Sequence, residues 1–306
     1  MKKGFNLFLV KCVLFGIPIL IVFFLLYRVG LTPTVTDSAL FDYKMFEIRK
    51  QGIKDVSIMA MGSSNPLYTL NSELLTRHFH QSYYNFASWR LQMSDTKDQL
   101  EVFVAEHHPR YVIITSSIGD FRRGLDSDPS YHNYFRMPLL ARDRLPQLFY
   151  LTNYTSIYEL LHRKHFNRGR MDLDPWGGIP MTIQPKDRDP KAWDERWEFP
   201  TAYTSLQYRE LDSLADLLHS EHIKLIFVQS PIRAAYANTP ALRQMLAAHF
   251  DTCRSLLTRH DAVYLNYYDT TTFTDSLFID QFHLQAAGGK VFTKRLITDL
   301  DTIIKH

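Results

Sequence analysis

The chain reads as an α/β protein built on a parallel sheet with helices on both faces. Three observations predict this class. Short apolar runs bounded by turn residues recur at residues 56–61, 83–87, 111–115, 224–229 and 263–266, which is the pattern of buried strands. Stretches with helical spacing of apolar residues stand between most of them, and strand–helix alternation favours a parallel sheet covered on both sides. The first run ends in Gly62-Ser63-Ser64-Asn65-Pro66, a turn at the carboxyl end of a strand. That is where open α/β sheets carry their chemistry.

Taken in order, residues 5–27 are almost continuously apolar, interrupted by Asn6 and Lys11. This length can span a bilayer as a helix. Lys2, Lys3 and Lys11 precede its most apolar part, and only Arg28 closely follows. The positive-inside rule places the N-terminus in the cytoplasm and the remainder outside. The residues after the run, Tyr27-Arg-Val-Gly-Leu, offer no small-x-small cleavage site, so an uncleaved transmembrane anchor over residues 1–30 is expected rather than a signal peptide. Residues 31–49 form a Thr-rich spacer and a lead-in helix, and residues 50–306 the α/β domain.

Within that domain, helices are expected over 72–79 with Ser72 as N-cap, 93–106 ended by Pro109, 206–219, 241–259 and 286–304. The last is expected to turn Val291, Phe292, Leu296 and Leu300 to the core. The alternation lapses over residues 121–204, which hold Pro129, Pro138, Pro146, Pro175, Pro180, Pro185, Pro190 and Pro200 with Trp176, Trp193 and Trp197; 154–165 alone has a helical pattern. So long an irregular segment inside a compact domain reads as an insertion packed on the core as a lid or docking surface.

Composition excludes several classes. With 45% apolar and 22% charged residues the 306-residue chain can bury a core. A formal net charge of +3 gives no basis for nucleic-acid binding. Cys12 and Cys253 form neither a disulfide framework nor a Cys-x-x-Cys motif. The histidine pairs His107-His108 and His162/His165 lack a third ligand at metal-site spacing. Arg122-Arg123 and Arg163-Lys164 read as solvated faces. The first strand–helix turn has no G-x-G-x-x-G, which disfavours a nucleotide-binding Rossmann protein.

A second chemical signal stands just before the last helix, in Phe278-Ile-Asp280-Gln-Phe-His283-Leu284. An Asp three residues before a His can lie on one turn, its carboxylate fixing one imidazole nitrogen while the other faces a serine hydroxyl. A weak oxygen nucleophile needs such a base and such an orienting group. Both this loop and the serine turn would leave the same edge of a parallel sheet.

On these residues the chain resembles the SGNH, or GDSL-like, hydrolase superfamily over about 50–304. Gly62-Ser63-Ser64 is similar to the first block of that family, and Asp280-Gln-Phe-His283-Leu284 to its last. The resemblance implies a flavodoxin-like three-layer α/β/α sandwich with five parallel strands, with Ser64 as nucleophile, His283 as base and Asp280 as orienting carboxylate. The middle blocks depart from the family pattern. Asn85 is kept, but Arg90 stands where a glycine is expected, and Ser117-Ile-Gly119-Asp120 lacks the asparagine amide donor. Arg90, Asn85, Ser117 and Asp120 are therefore the candidates for the oxyanion and substrate contacts, with Arg90 also able to bind an anionic or polyol substrate. Backbone N–H groups at Ser64 and near Arg90 can serve as donors.

The expected function is an extracytoplasmic, membrane-anchored serine esterase or O-acyltransferase acting on an acylated cell-envelope glycan or related polymer. That mechanism needs no metal or organic cofactor. The anchor, the aromatic insertion and the divergent blocks resemble envelope O-acyltransferase-type relatives, which implies a multi-span membrane acyltransferase as a possible partner. The alternative is a catalytically silent protein of the same fold that assembles envelope or binds glycan.

Overall fold

The computed structural model describes residues 2–28, 39–121, 173–187, 193, 205–237, 240–268 and 272–305. Five parallel strands, β1 (Ile58–Met61), β2 (Tyr83–Asn85), β3 (Tyr111–Ser116), β4 (Lys224–Gln229) and β5 (Val263–Asn266), form one sheet in the order β2-β1-β3-β4-β5. This is the flavodoxin-like order, whose switch point lies between β1 and β3.

Side-chain alternation along the strands divides the core in two. Met59, Met61, Val112, Ile114, Leu225 and Phe227 face one way. There they meet helices α2 (Ala39–Gln51), α5 (Met93–His107), α6 (Ser205–Ser220) and α8 (Pro240–Thr258). Ile58, Ala60, Ile113, Ile226 and Val228 face the other way, against α4 (Ser72–Phe79) and α9 (Ala286–Leu300). Two further short helices, α3 (Ser64–Thr69) and α7 (Ala234–Ala237), follow the ends of β1 and β4.

Several expectations shift at their edges. The first strand opens at Ile58 rather than Val56, because Ile58 is the first residue in register with β2 and β3, while Val56 N–H donates to His107 O at 2.9 Å. The second ends at Asn85 rather than 87, where the Asn85 side chain accepts from Ala87 N at 3.1 Å and turns the chain away. The N-cap of α4 is Asn71, not Ser72: its side chain accepts from Leu74 N at 2.9 Å. Helix α9 stops at Leu300, and Val291 is exposed rather than core-facing. The buried stripe is Phe292, Leu296 and Leu300, which a neighbour one residue away cannot share at about 100° per residue.

Helix α3 was not expected. Pro66 lies in its first turn, where a missing N–H removes no helical bond. Its neighbour α9 comes close because of Gly289: a Cβ there would lie 2.8 Å from Tyr68 O.

The described parts of the insertion return to the core beside the serine turn. Trp176 O accepts from Asn85 N at 2.8 Å, covering the β2 edge. Ile179 N donates to Leu67 O at 2.8 Å and Met181 O accepts from Ala286 N at 2.6 Å. Most of residues 121–204, including the helical pattern at 154–165 and the pair His162/His165, lies outside the described residues.

Residues Lys2–Arg28 form one helix, α1, interrupted in composition by Pro18. Its described apolar side chains, from Leu7 to Val22, are exposed. Among the described residues no helix is long and apolar enough to cross a membrane, so the transmembrane helix expected over residues 1–30 is not found.

Candidate active site

The site forms at the carboxyl ends of β1 and β3, at the switch point. Strand β1 ends at Met61, and Gly62 follows with φ +128°. A Cβ there would stand 2.8 Å from Thr115 O on β3, so only glycine allows the turn to lie this close to the sheet. Ser63 then caps α3, its hydroxyl accepting from Asn65 N at 3.5 Å. Ser64 is the first residue of α3. Its backbone N–H therefore has no carbonyl partner within the helix.

The second half of the site comes from the loop before α9. Phe278 and Leu284 are fully buried and form an antiparallel bridge across its base. Ile279 N donates to His283 O at 2.7 Å and closes it further. Within this pinched loop Asp280 folds back on its own backbone: Oδ1 accepts from Phe282 N and His283 N, both at 2.9 Å. Its other oxygen, Oδ2, lies 2.7 Å from His283 Nδ1, and His283 Nε2 lies 2.7 Å from Ser64 Oγ. Ser64, His283 and Asp280 thus stand in one hydrogen-bonded line.

Electrostatics suit this line. Burial raises the Asp280 pKa, but the hydrogen bond and charge of His283, with the two backbone N–H groups, outweigh it and hold the carboxyl below its usual range. An ionised carboxylate at Nδ1 keeps the proton there, leaving Nε2 as the acceptor facing Ser64.

Tyr68, one turn beyond Ser64 on α3, packs edge-on against the His283 ring with centroids 5.2 Å apart. Its hydroxyl accepts from Trp89 Nε1 at 2.9 Å. The residue is absent from the sequence-based candidates, because the helix that brings it one turn from Ser64 was not expected.

The remaining candidates separate. Asn85 does not line the site: its Nδ2 donates to Pro66 O at 2.8 Å and its Oδ1 takes Ala87 N, so it ties β2 to α3. Ser117, Asp120 and Arg90 do line a cavity of about 230 Å³ with Ser64, Gln281 and His283. Asp120 Oδ2 accepts from Ser116 Oγ at 2.8 Å and Ser117 N at 2.9 Å. Burial nevertheless raises its pKa above the usual value, against the pull of these bonds, Ser63 and the His283 charge. Ser117 N–H is thereby committed to Asp120, while Ser117 Oγ accepts from Gly119 N at 3.2 Å. Arg90 is exposed and takes φ +62°. The backbone there has the left-handed shape that glycine adopts freely and other residues hold at a cost of roughly 1–2 kcal/mol.

Gln281 connects the site to the insertion. Its amide nitrogen and Arg233 Nη1 both donate to Trp193 O, the latter at 2.8 Å. The Arg233 guanidinium also lies 3.6 Å from the Trp193 ring centroid and 2.9 Å from Asp275 Oδ2. A second, more open hollow of about 430 Å³ runs along β5 and α9 between Tyr264 and Asp299, on residues that include none of the triad. Among the described residues no cluster of three His, Cys, Asp or Glu is placed to hold a metal.

The parallel sheet thus carries a Ser–His–Asp hydrogen-bonded line at its switch point. No model of a known protein family matches the chain, and no curated protein does. Among solved structures it is similar to a lipase/acylhydrolase from Enterococcus faecalis (11% identity, 82% of this chain and 98% of that one, TM-score 0.46). It is similar also to a GDSL-like lipase from Bacteroides thetaiotaomicron (12%, 87% and 100%, TM-score 0.42). A third is an acetyl xylan esterase from Geobacillus stearothermophilus (10%, 83% and 99%, TM-score 0.46).

Proposed function

We propose that the protein is a serine esterase or O-acyltransferase that works through an acyl-enzyme on Ser64. The observation that carries this is the continuous line Ser64 Oγ–His283 Nε2–His283 Nδ1–Asp280 Oδ2, with 2.7 Å at both hydrogen bonds. Ser64 Oγ attacks the acyl carbonyl carbon and its proton passes to His283 Nε2. The bond to the leaving alcohol then breaks, and His283 returns the proton to that oxygen. Water or a sugar hydroxyl attacks the Ser64 ester in the second half, with His283 again as base. Asp280 stabilises the imidazolium formed in both halves. The oxyanion is met by backbone N–H groups, that of Ser64 first.

The cavity, at about 230 Å³, is smaller than the ~300–1,000 Å³ of pockets that take drug-sized ligands. A short acyl group such as acetyl fits this size. The natural ester is proposed to belong to an acylated envelope glycan or related polymer, met outside the cytoplasm by a domain that the apolar N-terminal run attaches to a membrane. The apolar run of residues 5–27 and the lysines before it support that placement. If transfer prevails over hydrolysis, a multi-span membrane acyltransferase is the proposed source of acyl groups.

A fluorophosphonate probe tests the nucleophile. The full chain is expected to label at Ser64, and Ser64→Ala to lose both labelling and turnover of a small acetyl ester while remaining folded. Turnover undiminished in Ser64→Ala would sink Ser64 as the nucleophile; no turnover and no label on Ser64 in the parent would sink the enzyme reading and leave the silent envelope-assembly or glycan-binding alternative.

A further inference from the structure

Among the described residues five non-glycine positions take positive φ: His80, Arg90, His108, His222 and Asp261. Four of them close helices: His80 follows α4, His108 follows α5, His222 follows α6 and Asp261 follows α8. Such residues are a common way to end a helix. Arg90 ends no helix. It lies in the turn between β2 and α5, on the wall of the Ser64 cavity. A long cationic side chain held in a left-handed backbone at a candidate active site is an outlier that points to function.

The turn that holds Arg90 is fixed on both sides. Ser88, Leu91 and Gln92 are buried. Trp89 donates its indole N–H to Tyr68, the residue packed on His283 and carried by the same helix as Ser64. The Arg90 backbone is thus set relative to the nucleophile by rigid neighbours. Its guanidinium is exposed and makes no ion pair or hydrogen bond among the described residues.

We infer that Arg90 is a specificity residue that binds an anionic group, a carboxylate or a phosphate, on the alcohol portion of the ester. This rests on the Ser64 esterase reading. A guanidinium offers five N–H donors and no acceptor, and its planar fork matches a carboxylate or phosphate. The charges around the nucleophile set the register of such a substrate. The ionised Asp280 stands behind His283 and the buried Asp120 lines the cavity, so the interior repels an anion and suits the neutral acyl group. The exposed Arg90 at the rim attracts the anion instead. A substrate of this kind is an O-acylated sugar carrying a uronate carboxylate or a phosphodiester beside the acylated hydroxyl.

The test compares matched esters on the full chain in detergent. One pair is an O-acetylated uronic acid glycoside and its neutral methyl ester; the other is an O-acetylated sugar phosphate and the unphosphorylated sugar. At low salt the parent is expected to favour at least one anionic member by about tenfold in kcat/KM, mainly through KM, with the preference fading as salt rises. The larger of the two ratios identifies the source of the anion. Arg90→Gln and Arg90→Gly are expected to bring that ratio to about one, and Arg90→Lys to keep part of it. Arg90→Gly also guards against misfolding, since glycine accepts φ +62° freely. Binding of the same esters to Ser64→Ala, with and without Arg90→Gln, reads the contact without turnover. There Arg90→Gln is expected to weaken only the anionic member, by about tenfold. No turnover of any ester by the parent, with that binding difference intact, would count against the esterase and not against Arg90. An anionic-to-neutral ratio of one in the parent, or a ratio unchanged by Arg90→Gln, would overturn the inference.

Discussion

Replacing Asp280 with Asn perturbs one atom of the site and tests the role of the whole line. In the parent, Asp280 Oδ1 accepts from Phe282 N and His283 N at 2.9 Å, and Oδ2 faces His283 Nδ1 at 2.7 Å. An Asn here keeps its oxygen on the two backbone donors, which forces its NH₂ toward Nδ1. The imidazole must then carry its proton on Nε2, where it donates to Ser64 Oγ instead of receiving its proton. Restoring the useful tautomer breaks the Nδ1 contact, and the charge-assisted bond that would stabilise the imidazolium, worth about 1.5–3 kcal/mol, is lost as well. Together these terms predict a fall in kcat on the order of 10³–10⁴, which is about 4–5.5 kcal/mol of transition-state stabilisation. The assay is acetyl-ester hydrolysis at neutral pH, with the rate of fluorophosphonate labelling as a second readout and circular dichroism to confirm folding. A well-folded Asp280→Asn protein that retains activity within tenfold of the parent would refute the tautomer argument. The carboxylate also bears on stability. Its folded-state pKa is depressed, so the stabilisation it contributes is present above the usual carboxylate range and is lost as pH falls through the native value.

Asp120 provides the opposite case. Burial raises its pKa, so the native state holds this proton more tightly than the unfolded chain and stability falls as pH rises from about 4, the usual carboxylate value. Asp120→Asn keeps an acceptor for Ser117 N but has no charge to bury; its urea midpoint is expected to drop less than that of the parent between about pH 4 and pH 7. Equal drops in the two proteins would show that burial of this carboxyl is not the cause. For the proposed membrane attachment, membranes sedimented from cells that make the full chain are expected to carry it; recovery of the full chain in the soluble fraction would rule attachment out.

Much of the fold was legible because its signals are local. Strand β4 spans the residues its apolar run predicted, as does β5, and the strand–helix alternation carried over to a parallel five-stranded sheet. Such runs are readable because successive side chains on a strand must alternate between two faces, and both faces of a parallel sheet are buried. Ser64 and the Asp280–His283 pair were legible for a similar reason: each is a short pattern at the end of an element, where turn residues mark the boundary. Elements whose limits depend on a distant partner were less so. Val291 looked like a core residue by spacing, yet the side of α9 that faces the sheet excludes it. The cap of α4 fell to Asn71, because its side chain reaches Leu74 N.

The turn at Gly62-Ser63-Ser64, the Asp–x–x–His loop and the order of the elements were determined by sequence alone, since each depends on neighbours within a few residues. Only the tertiary structure decided what these parts do together. It set Ser64 Oγ 2.7 Å from a ring 219 residues away, placed Tyr68 against that ring, withdrew Asn85 from the cavity to bind Pro66 O, and gave Arg90 a left-handed backbone shape that glycine adopts freely. Contacts of this kind are fixed by which elements pack together, and no local periodicity encodes them.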